Sequence, residues 1–173
     1  MKNLLRMKIR IIGSMAAVLS ALLLPVAQAA TPPATVSLAG TWTLVAADVL
    51  RADGVQARDY GAAPKGLLLI DAQGRYSLQI FKAERSRFAS GNKQTGTPAE
   101  YQSAVMGSST HFGTISVDPI AEIITFQIEN ASFPDWEGTQ QARHFELHGD
   151  QLTYRVAPRP DGSTPISIWR RLQ

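Results

Sequence analysis

From residue 41 onward the chain is a succession of short runs in which apolar and polar residues alternate, and this period of two constrains the fold more than any other feature. Alternation sends successive side chains to opposite faces, so each run reads as a half-buried β-strand. Within residues 75–82, Tyr76, Leu78 and Ile80 share one face while Arg75, Ser77 and Gln79 share the other. Within 41–50, Trp42, Leu44 and Ala46 share a face. Further strands are expected at 65–71, 111–117, 122–128, 143–148, 152–156 and 166–172, which makes eight. One helix is expected between the third and fourth strands. Thr97-Pro98-Ala99-Glu100 offers a capping residue, Pro at the first helical position and Glu at the third, and the helix should reach about Met106. Tyr101, Ala104 and Val105 form a stripe on it suited to packing on a sheet or over an opening.

The connections alternate as regularly as the side chains. Those after the second, fourth and sixth strands are tight, carried by Ala72-Gln73-Gly74, Asp118-Pro119 and Gly149-Asp150, and the others are longer. In an up-and-down meander, alternate loops lie at alternate ends, so all the long loops gather at one end. An eight-stranded antiparallel up-and-down sheet can close on itself and remove its edges. The expected fold is therefore an all-β barrel with a tight-turned closed end and a mouth ringed by long loops. Its interior is filled by side chains or holds one small ligand. The opposite faces carry Arg75, Ser77, Gln79, His144, Glu146, His148, Thr153 and Arg155. That polar exterior argues for a barrel in water and against one embedded in a membrane, which needs an apolar outer band.

The first 29 residues follow another pattern. Lys2, Arg6, Lys8 and Arg10 precede an apolar run over 11–26, which ends in Ala27-Gln28-Ala29, a small-x-small cleavage site. This reads as a secretory signal peptide, and the run of 16 residues falls short of the roughly 20 a spanning helix needs. The expected organisation is a signal peptide over 1–29, a linker over 30–37 containing Thr31-Pro32-Pro33, and one barrel domain over 38–173. Cleavage would leave 144 residues, exported to the periplasm or the exterior. A domain of that size buries roughly 68–70% of its unfolded surface, enough for a core without staples.

Charge and cysteine content narrow the function. The whole chain carries a formal +3, but four of its 17 basic residues lie in the leader, so the remainder sets 13 against 14 acids. A near-neutral chain without a basic run is not built for nucleic acid. With no cysteine there is no disulfide, thiolate zinc site or lipid-modified cysteine. His144 and His148 share a strand face, but four residues along a strand span about 13 Å, too far for one metal ion. His111 is isolated in sequence, and no metal or other cofactor is expected. A monomer is expected.

Aromatic side chains with a few polar groups are the usual lining of a small-molecule pocket. Tyr60, Arg87, Tyr101 and Trp136 fall on the long loops or the helix, hence at the mouth, and Tyr76 and Tyr154 lie on apolar strand faces and point inward. These six are the candidate ligand-binding residues, with Arg87 able to pair with a carboxylate. No Gly-x-Ser-x-Gly elbow or cysteine nucleophile is present, and no catalytic residue is assigned. Asp135 and Glu137 flank Trp136 with Glu129 upstream, so proton-transfer chemistry in the cavity, such as isomerisation or cyclisation, is the enzymatic alternative. A barrel filled by bulky residues such as Leu67, Leu68, Leu69 and Ile70, acting as a structural or interaction module, is the other.

Gly40-Thr41-Trp42 resembles the Gly-x-Trp signature of lipocalins. The wider resemblance is to the bacterial lipocalin-like domain family. It runs through Tyr60-Gly61, Pro64-Lys65-Gly66-Leu67-Leu68, Gly74-Arg75-Tyr76-Ser77, Arg87-Phe88-Ala89-Ser90-Gly91 and Glu100-Tyr101. It continues through Phe112-Gly113-Thr114, residues 132–139 around Trp136, Phe145-Glu146-Leu147, residues 149–152 and Trp169. The resemblance implies that Trp42 plugs the closed end beneath an Arg from the last strand. Strand parity with Ile166 and Ile168 favours Arg170, and similarity to close relatives favours Arg171. The chain departs from the family at Phe126-Gln127, where a His pair is expected, and at Asp135, where Asn is more usual. The resemblance thus implies a fold and a pocket, and no particular reaction. Barrel topology and the clustered mouth aromatics make binding or carrying a small hydrophobic or amphipathic molecule the expected function.

Overall fold

The computed structural model describes residues 36–173, so the expected signal peptide and most of the linker lie outside the described residues. The described residues form nine strands: β1 Gly40–Leu50, β2 Gln56–Ala57, β3 Lys65–Ile70, β4 Arg75–Phe81, β5 Ser108–Asp118, β6 Ile123–Ala131, β7 Gln140–His148, β8 Gln151–Arg155 and β9 Thr164–Arg171. One helix, α1 Pro98–Met106, and a 3-10 turn at Pro134–Trp136 complete the set. Strand order is β2-β1-β3-β4-β5-β6-β7-β8-β9, every pairing is antiparallel, and β1 also pairs with β9. That last pairing closes eight strands into a barrel, with β2 a two-residue addition beside the far end of β1.

The barrel has the eight strands expected, but the helix position between the third and fourth strands is corrected. The helix follows β4, because β2 enters the chain order before the strand at Lys65. Nothing in the pattern marks β2, which is short and joined to β1 through Val49↔Ala57 and Leu50↔Gln56. Strands β5 and β7 also start earlier than their apolar patterns, at Ser108 and Gln140, because their mouth ends carry polar residues.

Trp42 and Leu44 turn inward, but the register slips between Leu44 and Ala46. This bulge leaves Val45 exposed and passes the inward position to Ala47, which joins the core that Ala46 was expected to join. Gly113 sits at a second slip, in β5, where an added Cβ would strike Gln127 O at 2.0 Å.

The tight connections β3–β4, β5–β6 and β7–β8 share one end with the start of β1 and the finish of β9. Trp42, Leu68, Leu152 and Trp169 are fully buried there, so this half is filled. Trp42 Nε1 donates to Leu38 O at 3.0 Å. Arg171, not Arg170, lies over the Trp42 ring, with its guanidinium carbon 4.1 Å from the centroid, and Arg170 is exposed. The inward positions of β9 are those of Ser167 and Trp169, so parity runs opposite to that of Ile166 and Ile168.

Helix α1 is fixed by its own ends. Thr97 accepts from Glu100 N, and the Glu100 carboxylate accepts from Thr97 N at 2.7 Å. Its apolar stripe does not reach the core: no helix residue is buried, and Val105 and Met106 are exposed.

Candidate functional site

Above the filled half, cross-strand partners bring polar side chains onto the inner wall. Residues directly opposite in neighbouring strands share a face. Ile80 therefore turns Ser109 inward, Leu78 turns His111 inward, and Ile124 turns Arg143 inward. Above them lies a cavity of about 580 Å³, which reaches the loops bearing Asp59, Tyr60, Trp136 and Arg159. Its apolar wall includes Leu78, Ile80, Trp136, Val156 and Ile166, and its polar wall includes Asp48, His111, Gln141, Arg143 and Ser167.

Arg143 is the unusual member. It is 6% exposed, and its guanidinium lies 4.1 Å from the Phe126 centroid and 5.1 Å from that of Tyr154. The rings take the faces of the cation. At its edge, Nη2 donates to Gln141 Oε1 at 2.8 Å and approaches His111 Nε2 at 3.4 Å. No carboxylate of the described residues pairs with it, and Nε is buried without an acceptor.

His111 is bracketed by Arg143 and Tyr76, whose hydroxyl is 2.7 Å from Nδ1. A guanidinium can only donate. Its approach therefore assigns the lone pair to Nε2 and the proton to Nδ1, which donates to Tyr76. Burial, reinforced by the charge of Arg143, pulls the His111 pKa down to about 3, so the ring is neutral at physiological pH. Burial also pushes the Tyr76 phenol well above its ordinary range, so it remains protonated. Tyr76, His111 and Tyr154 all pack around Phe126, forming an aromatic floor under the cavity.

Two other buried polar atoms lack partners at the wall. The Tyr154 hydroxyl has none. Asp48 accepts from Gln56 Nε2 at 2.7 Å through Oδ2, while its Oδ1 has none. Near the mouth, Asp59 and Arg159 pair at 3.1 Å.

Of the six residues singled out from sequence, Tyr60, Trp136 and Tyr154 line the cavity. Tyr76 is buried in the floor and reaches the lining through His111. Arg87 is exposed outside the lining. Tyr101 also stands outside it, stacked edge-on to Phe88 at 5.4 Å with its hydroxyl donating to Lys93 O. The carboxylates of the enzymatic alternative are elsewhere too. Glu129 meets Arg75 at 3.5 Å on the outside, Glu137 accepts from Ala131 N, and Asp135 is exposed. Among the described residues, no group of three His, Asp or Glu side chains could hold a metal ion.

Sequence reading missed His111, Arg143 and Asp48. The one available signal was parity: Arg143 alternates with Phe145 and Leu147 and so occupies an apolar face.

No curated protein matches the chain. Among solved structures, a lipocalin-like protein from Bacteroides uniformis ATCC 8492 is similar at 17% identity and a TM-score of 0.41, over 78% of this chain and 98% of that one. The family model for a lipocalin-like domain matches residues 39–172, which takes in every strand of the barrel from β1 to β9. A closed antiparallel barrel plugged by Trp42, together with a family match across its whole length, makes this chain a member of the lipocalin-like domain family.

Proposed function

We propose that the protein binds or carries a small hydrophobic or amphipathic molecule in the mouth-end cavity. The observation that carries this is the cavity itself. Its volume of about 580 Å³ lies within the roughly 300–1,000 Å³ of small-molecule sites. Its lining combines apolar and aromatic walls with a few converging polar groups, the composition that fixes a ligand's orientation. A barrel filled throughout by side chains would have no such space. The proton-transfer alternative loses support because Asp135, Glu129 and Glu137 stand outside the lining. Tyr60, Trp136 and Tyr154 are the contacts proposed from the original six. Export is proposed as well, on the pattern of residues 1–29.

Native mass spectrometry of protein purified gently from an exporting host, before and after organic extraction, tests the binding function. The expected result is a chain of 144 residues carrying one small molecule that extraction removes. A bare chain that also takes up no member of an apolar and amphipathic panel in a saturable way overturns the proposal.

A further inference from the structure

The cavity wall holds a cation whose hydrogen-bonding capacity is unfilled. Burying an arginine is costly unless its charge is compensated and its N–H groups are met by acceptors. At Arg143 the rings of Phe126 and Tyr154 stabilise the charge through its faces but supply no acceptor at its edge. Gln141 and His111 engage Nη2 alone, and Nε is buried with no partner. His111 beside it is neutral, so among the described residues Arg143 is the positive charge of this part of the wall. The other arginine of the lining, Arg159, is already paired with Asp59 near the mouth.

Given the cavity-binding function proposed above, on which this rests, we infer that the ligand is a small apolar monocarboxylic acid, its carboxylate held by Arg143 and its apolar body lying against Leu78, Ile80 and Trp136. A carboxylate is singly charged and accepts charge-assisted N–H bonds, which suits the N–H groups of Arg143 that Gln141 and His111 leave unengaged. It would compensate a charge that no protein carboxylate meets. The apolar wall suits a hydrocarbon or aromatic body.

The test measures displacement of a neutral fluorophore, N-phenyl-1-naphthylamine, from extracted protein near neutral pH by decanoate and by decan-1-ol. The two competitors share a chain and differ in the head group. In the wild type, decanoate should displace the fluorophore at a concentration about tenfold or more below that of decanol, the strength of a charge-assisted hydrogen bond shielded from water. In Arg143→Met the ratio should fall to near one. Equal displacement by acid and alcohol in the wild type overturns the acid inference while leaving the binding function intact. A preference that survives in Arg143→Met overturns the assignment to Arg143. If the fluorophore and both competitors fail to bind the wild type, the binding function and the inference fall together. Should Arg143→Met not fold, the wild-type ratio still decides whether the ligand class is acidic.

Discussion

His111 sits where protonation is opposed twice, first by burial and then by the Arg143 charge beside it. In the unfolded chain its ring takes up a proton near the ordinary value of 6.5, and in the fold it does so only near 3. Between those values the unfolded state binds more protons, so this residue makes stability fall as pH falls. Its contribution is complete above pH 6.5 and is lost progressively toward pH 3, at up to about 1.4 kcal/mol for each pH unit. Urea unfolding of wild type and His111→Gln across that range checks this, because the variant should lose distinctly less stability on acidification. Parallel profiles would contradict the account. The same residue shows what sequence hides. His111 has no nearby partner in the chain, and the groups that define it, Tyr76 and Arg143, are 35 and 32 residues away. Only closure of the barrel brings them together.

At the level of elements, the first and last strands act as a clasp. β1 pairs with β3 through Gly40 to Thr43 and with β9 through Trp42 to Leu50, and it is the strand that shuts the sheet. Arg171 secures it from above, lying over Trp42, donating to Ser37 O at 3.1 Å and to Ala39 O, and standing 3.9 Å from Asp150. Loss of the cation–π contact and these hydrogen bonds in Arg171→Met should cost about 1–3 kcal/mol. Arg170→Met, at an exposed position, should change stability by less than about 0.5 kcal/mol. Urea unfolding of the two variants checks the contrast, and equal losses would contradict it. Alternation made most strands legible, because a half-buried surface imposes a period of two on side chains. It did not reveal the bulge at Val45, which reverses the inward face within one strand, nor β2, which lies at a polar rim with Gln56 exposed. The stripe on α1 misled for a related reason: that helix is fixed by the capping box of Thr97 and Glu100, not by burial of an apolar face.

For the whole molecule, the decisive feature is the division of one barrel into two halves. The tight-turned half is filled around Trp42 and Trp169, and the long-looped half is open above Phe126 and Arg143. Loop lengths made this polarity legible, since alternate connections of a meander gather at alternate ends. They could not show how deep the filling runs, which depends on the volumes of side chains from all eight walls. Thus Tyr60, Trp136 and Tyr154 reach the cavity while Arg87 and Tyr101, on the same set of mouth segments, do not. The most direct test of the account is titration of N-phenyl-1-naphthylamine into extracted wild type and into Ser109→Trp. Ser109 is half-buried on the cavity wall opposite Ile80, so an indole there occupies the space without entering the filled half. The expected result is saturable one-site binding to the wild type and affinity weaker by about tenfold or more in a folded Ser109→Trp, a loss of at least roughly 1.4 kcal/mol. Binding that does not saturate, or that a folded Ser109→Trp leaves unchanged, would contradict a ligand site in the mouth of this barrel.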